Sequence, residues 1–308
     1  MVVLIWIGAR ARWFLALGVV AALLIPGPGA ILDGTLPFWV TLLMMLAMTR
    51  VDLAAIAARA VRPRRMITNL LFLVGLMGLT PALFMVLAQA AGAPQAHIEA
   101  LVYTASGPPL GSATAFCLIL GLDAAFALEM TVLGAFIAPF TMPLVARLLL
   151  GSAVPIDVAE MFLRLSILIG CAALGAIFLR RFMGGVRIAR HAQAFDGAGV
   201  LCLVLFLFPL FQGIAGQILT APAFAALTLL IAILANLGAQ VTSYAVLRPF
   251  WGRDTGGAAA LIWGNRNAAL ALASLPPDPL LTLYVALYQF PMYFTPLVMR
   301  PVVGSPPD

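Results

Sequence analysis

The sequence predicts an all-α integral membrane protein of about ten transmembrane helices, built as two inverted five-helix repeats whose fourth and ninth helices are broken and cross. Composition, the placement of arginine and a weak internal repeat point there. Of 308 residues, 64% are hydrophobic and 9% are charged, whereas a soluble domain carries about 25% charged residues. Stretches such as 70–91 and 201–211 are apolar on every side, which a water-facing helix cannot be.

Taking about 20 apolar residues per span, helices are expected near 12–32, 36–50, 66–91, 97–120, 124–149, 158–182, 195–214, 223–249, 256–275 and 279–300. The first follows an apolar opening, 1–7, and Arg10 and Arg12. A cleaved signal peptide competes with it, but Pro26, Gly27 and Pro28 make a poor cleavage site. The second is short unless it includes 51–56.

All 17 basic residues are arginine. Arg50, Arg59, Arg62, Arg64 and Arg65 fall in the second connection, Arg180, Arg181, Arg187 and Arg190 in the sixth, and Arg248 and Arg253 in the eighth. The third, seventh and ninth have none. That alternation follows the positive-inside rule with both termini cytoplasmic, in a cell (inner) membrane; Arg147 and Arg164, flanking the fifth connection, weigh mildly against it. Orientation and attraction to the lipid bilayer suffice to explain a pI near 9.9, so no nucleic-acid partner is implied.

Cys117, Cys171 and Cys202 sit in apolar segments without metal or disulfide spacing and read as small core residues. His97 and His191 lie in expected loops, far apart in sequence. No metal site is expected.

The repeat divides the chain into 1–153 and 154–308. Phe140, Thr141, Met142, Pro143, Leu144, Val145 answers to Phe294, Thr295, Pro296, Leu297, Val298, and Gly111, Ser112, Ala113, Thr114, Ala115 to Gly264, Asn265, Arg266, Asn267, Ala268. An odd number of helices per half makes the second copy enter from the opposite side, which is a transporter signature.

The same alignment locates the chemistry. Helix four carries Ser106, Gly107, Pro108, Pro109, Leu110, Gly111, Ser112, Ala113, Thr114. Its prolines cannot donate, so side chains, water or ligand must satisfy the freed backbone groups. Helix nine carries Gly264, Asn265, Arg266, Asn267 in mid-span. A central arginine costs roughly 2.5 to 3.5 kcal/mol to insert unless it faces protein or a wet cavity, and Glu129 is the expected partner within the protein. Functionally, Arg266 receives an anionic substrate with Asn267, Asn265, Thr114 and Ser112 beside it; structurally, Arg266 and Glu129 form an ion pair that ligand never touches. Thr131 and Gln289 are weaker candidates, closer to interhelical glue.

With Leu122, Asp123, Met130, Thr131, Ala138 and Pro139 after the broken helix four, and Gly264 to Ala271 in helix nine, the chain resembles the bile acid:sodium symporter family and its wider superfamily. The resemblance implies a core of helices three to five and eight to ten, a panel of one, two, six and seven, and alternating access by movement of one against the other. It implies symport of organic anions and, in one branch, arsenite efflux. The family's helix-nine glutamate falls on Ile262, its glutamine on Arg266, a helix-four serine-asparagine pair on Ala113 and Thr114, and a helix-five serine on Ala127; Asn267 and Thr131 keep their types. A sodium ion is poorly served by these replacements, so the coupling ion is left between sodium and a proton carried by Glu129.

The expected function is secondary active transport of a bile-acid-like or small carboxylate anion, with no organic cofactor and no enzymatic activity, since no nucleophile-base pair stands in the apolar segments. A non-transporting membrane sensor or scaffold and an arsenite-type carrier are the alternatives. Oligomeric state is not legible.

Overall fold

The computed structural model describes residues 2–60, 63–151 and 157–304. The expected boundary between the repeats, at 153 and 154, and Arg62 lie outside the described residues. Among those described there is no strand, only an isolated antiparallel bridge between Pro109 and Arg266. Five helices among the described residues are long and apolar enough to cross a membrane: Arg65–Ala90, Ala124–Leu150, Val158–Met183, Ala192–Leu210 and Pro222–Gly264. The protein is an all-α, multi-pass membrane protein.

Several expected spans differ in detail. The expected 12–32 span is divided into Ala11–Leu24 and Pro26–Ile31, because Pro26 cannot continue the preceding helix's hydrogen bonds, and the apolar opening is a helix of its own, Val2–Ala9. The second is Leu36–Thr49. The eighth and the first half of the ninth run on as one helical stretch, Pro222–Gly264, bent where Gly252 takes φ 71° and ψ −174°, a conformation open to glycine and strained for other residues. Pro279–Val303 keeps its helical bonding past three internal prolines.

Two π-helical turns were not foreseen. Gly75–Leu79 and Leu234–Gly238 interrupt otherwise α-helical stretches. Each half thus carries a wide turn ahead of its break, Gly75–Leu79 before Pro108 and Leu234–Gly238 before Asn265. A π turn shifts the hydrogen-bond register and frees groups that an α-helix would use.

The chain forms two compact units, each drawn from two stretches: Met1–Ala55 with Arg164–Ala225, and Ile56–Leu163 with Ala226–Asp308. In the first, Val2–Ala9, Ala11–Leu24 and Leu36–Thr49 pack on Ala192–Leu210. Glycine permits the approach: a Cβ on Gly197 would stand 1.8 Å from the Leu4 carbonyl oxygen, and one on Gly8 2.6 Å from that of Gln193. Small residues at helix contacts supply the association that lipid does not drive. Arg180 reaches Asp52 at 3.2 Å, and Arg50 pairs with Asp196.

In the second unit, Ala124–Leu150 and Ala239–Gly264 pack against each other and against Ala113–Leu120. Among the cysteines, Cys117 is buried as expected of a core residue, but Cys171 is exposed and Cys202 only part-buried; each follows from the face its helix turns outward. His97 is not in a loop. It sits within Gln95–Ala105, is 1% exposed and lies 2.9 Å by Nε2 from Thr228 Oγ1.

Candidate functional site

The expected fourth span is two helices, Gln95–Ala105 and Ala113–Leu120, and the ninth is broken between Gly264 and Ala268. Proline explains the first interruption, since Pro108 and Pro109 offer no amide hydrogen. Polarity explains the second. The two breaks satisfy each other: Leu110 N–H donates to the Asn265 carbonyl at 2.9 Å, and Asn267 N–H donates to the Pro108 carbonyl at 2.8 Å. Buried backbone groups must find partners, and these find them in the opposite break, not in water or ligand.

Gly134 on Ala124–Leu150 makes room for this pairing, because a Cβ there would lie 2.8 Å from Pro109 Cδ. Nothing in the sequence around Gly134 singled it out.

Arg266 fastens the arrangement. It is 3% exposed. Its Nε donates to the Trp263 carbonyl at 2.9 Å, one terminal nitrogen donates to the Gly107 carbonyl at 3.0 Å, and the other to the Leu76 carbonyl. One guanidinium therefore joins its own helix end, the proline break and the first π turn. The expected pairing with Glu129 is not what forms: among the described residues no carboxylate pairs with Arg266. Guanidinium satisfies its charge here through carbonyl dipoles, which the fork of five donors can gather from several directions.

Asn265, expected to line the crossing, turns inward and is fully buried. Its Oδ1 accepts from Asn236 Nδ2 and from Thr295 Oγ1, both at 3.2 Å, and its Nδ2 donates to the Leu261 carbonyl at 2.9 Å. Gln240 donates to Asn236 Oδ1 at 2.8 Å and to Thr295 Oγ1 at 3.0 Å. The Gly264 carbonyl accepts from Asn236 at 3.0 Å and from the Tyr288 hydroxyl, which itself accepts from Arg266 N–H at 3.2 Å. Asn236 belongs to the second π turn, and a Cβ on Gly264 would stand 2.2 Å from its carbonyl oxygen. Sequence reading missed Asn236, Gln240 and Tyr288; three polar side chains in apolar helices were the available signal.

The other expected residues divide. Asn267 is 8% exposed and is paired through its backbone. Ser112 and Thr114 have hydroxyl oxygens buried without a partner among the described residues. Thr131 bonds back to the Ala127 carbonyl at 2.8 Å and Gln289 to the Val285 carbonyl at 3.0 Å, so both are turned to their own helices. Gly111 lies in the turn that leads into Ala113–Leu120.

Glu129 instead belongs to a cavity of about 600 Å³ whose lining includes Arg65, Asn69, Asp123, Phe126, Trp251 and Thr255. Arg65 and Asn69, one turn apart on Pro63–Val74, both reach it: Asn69 Nδ2 donates to Oε1 at 2.9 Å, and Arg65 stands 3.5 Å from Oε2. Asp123 caps Ala124–Leu150, accepting from Phe126 N–H and Thr255 Oγ1, each at 3.0 Å. An aromatic cluster joins the two places: Phe72 lies 5.4 Å from Phe126, 5.6 Å from Trp251 and 5.3 Å from Trp263 between ring centres, and the carbonyl of that same Trp263 holds Arg266.

The chain matches no protein-family model and no curated protein.

Proposed function

We propose that the protein is a secondary active transporter of an organic anion, a bile-acid-like amphipath or small carboxylate, that works by alternating access in the inner membrane with both termini in the cytoplasm. The observation that carries this reading is the antiparallel pairing of two helix breaks around Arg266. Irregular backbone at membrane depth is tolerated where protein buries it or where it lines a path for solute, and a break in corresponding places of two halves is the arrangement that transporters place at their substrate site.

Arg266 uses three of its five N–H groups on carbonyls. The remaining two, the Asn267 side chain and the hydroxyls of Ser112 and Thr114 are the donors this reading assigns to the anion once the breaks part. Asn265 then holds the break in shape, and Thr131 and Gln289 are packing residues. Two compact units, each built from both halves of the chain, supply the separate bodies that alternating access requires. Sodium or a proton is the coupling ion, and Glu129 is the side chain suited to the proton.

Uptake into proteoliposomes tests the reading. A panel of labelled bile acids and short carboxylates is offered under a sodium gradient alone and a proton gradient alone. Accumulation of at least one anion under one gradient is expected. Binding without flux under either would replace transport with a sensor or scaffold.

A further inference from the structure

We infer that a second cavity, where the ends of Leu36–Thr49 and Val158–Met183 meet, holds the headgroup of an anionic phospholipid, with its phosphodiester on Arg181 and an acyl chain along the apolar face of the same helix. The inference goes beyond the transport reading and stands without it.

The cavity has a volume of about 360 Å³, and its lining includes Met48, Asp52, Leu53, Ile177, Arg180 and Arg181, all of one compact unit. Its two arginines differ in what they already hold. Arg180 donates to Asp52 Oδ2 at 3.2 Å and to the Thr49 carbonyl at 3.4 Å, while Asp52 also accepts from Ala55 N–H at 3.0 Å. Arg181 is exposed and has no hydrogen bond or carboxylate partner among the described residues. Among the described lining residues two guanidinium groups stand against one carboxylate, which leaves the cavity one positive charge. That suits a phosphodiester, which carries a single negative charge, better than a phosphomonoester, which carries about two. The guanidinium fork matches phosphate oxygens with paired N–H groups.

The helix that carries Arg181 also supplies the surface for an acyl chain. Leu174, Ile177, Phe178, Arg181 and Phe182 are spaced by three and four residues and share one face. The four apolar ones are each more than half exposed, and Phe178 and Phe182 stack with ring centres 6.4 Å apart. From Leu174 to Arg181 the helix rises about 10 Å, which fits within the roughly 15 Å of hydrocarbon in one leaflet. Arg181 therefore ends an apolar stripe at headgroup depth. A soluble anion has no use for the stripe, whereas a phospholipid uses both stripe and arginine. The chain beyond Met183 adds positive charge on the water side. Gly184, with φ 79°, turns it, and Gly185–Arg190 buries Ile188 while Arg187 and Arg190 are exposed. Neither arginine pairs with a carboxylate among the described residues, whereas Arg50 has Asp196. This surplus attracts an anionic headgroup and disfavours the ammonium of a zwitterionic one.

The test is native mass spectrometry of the purified, delipidated full-length protein in detergent, titrated with dioleoyl phosphatidylglycerol or dioleoyl phosphatidylcholine, with and without inorganic phosphate as a soluble competitor. The parent should bind a first phosphatidylglycerol at least about fivefold more tightly than phosphatidylcholine, and phosphate should leave that binding unchanged. Arg181→Gln should lose the preference, and Arg181→Lys should keep part of it, since an ammonium holds phosphate as a point charge. Arg187→Gln removes an equal charge that does not line the cavity and should stay within about twofold of the parent, because exposed charges at a distance are screened. Equal affinity for the two lipids, a preference that survives Arg181→Gln, or an equal loss in Arg187→Gln overturns the inference. Displacement of the lipid by inorganic phosphate also overturns it, by making the occupant a soluble anion. None of these outcomes bears on the uptake result.

Discussion

Arg266 and Arg65 bring the same side chain into one compact unit and meet opposite surroundings. Arg266 is 3% exposed and is met by three backbone carbonyls from three segments; the Arg65 side chain is 55% exposed and meets one carboxylate at 3.5 Å. What differs is how many groups depend on each. Removing Arg266 orphans carbonyls that the proline break and the π turn cannot satisfy internally, while removing Arg65 leaves Glu129 still bonded to Asn69. A buried arginine held by backbone is a structural keystone first, and any ligand must compete with the fold for it. A half-exposed one is available to ligand at small cost.

The largest effect should therefore come from Arg266→Ala. Each carbonyl left unmet in a buried site costs about 1 to 3 kcal/mol, and three share this guanidinium, so a loss of roughly 3 to 5 kcal/mol is expected, or about 10 °C in melting temperature. Thermal unfolding in detergent, followed by tryptophan fluorescence, measures it. Arg266→Lys should recover less than half, since an ammonium cannot span three carbonyls set in a fork. Full stability in Arg266→Ala would erase the contrast with Arg65.

Gly264→Ala probes the same keystone without touching charge. The added Cβ would stand 2.2 Å from the Asn236 carbonyl oxygen and 2.5 Å from Gln240 Cγ, so helix must move away from helix. Overpacking of this kind costs about 1 to 3 kcal/mol, and here the same movement also stretches the bond from Asn236 to the Gly264 carbonyl. A smaller loss, roughly 1 to 2 kcal/mol, is expected for Asn236→Ala, which leaves that carbonyl with Tyr288 as its remaining donor. The same melting assay ranks the two.

Much of the architecture was legible because hydropathy and proline act locally. The span expected at 124–149 appears as Ala124–Leu150, and that at 158–182 as Val158–Met183. Pro108 and Pro109 announce their break from sequence, as do Asn265 to Asn267. The partner of Arg266 was not legible. The sequence offers a carboxylate, Glu129, as the partner, but carbonyl groups freed by irregular backbone carry no letter in a sequence, and both the proline break and the π turn at Gly75–Leu79 supply them. The π turns were hidden for a related reason: their residues are ordinary helix formers apart from glycine. Asn236 and Gln240 were visible as polar residues in an apolar helix, and an accounting of who bonds Asn265 would have found them.

The smallest effect closes the comparison. Arg65→Gln removes a half-exposed cation whose ion pair is long, 3.5 Å, and such pairs contribute about 0 to 1 kcal/mol. Its melting temperature should lie within about 3 °C of the parent, and salt should narrow even that difference because exposed charges are screened over about 10 Å at 0.1 M. Glu129→Gln should be equally mild, because the amide keeps an oxygen for Asn69 at 2.9 Å. A drop in either variant comparable with that of Arg266→Ala would mean that the Arg65 and Glu129 pair holds the helices together, and the contrast with Arg266 would be lost.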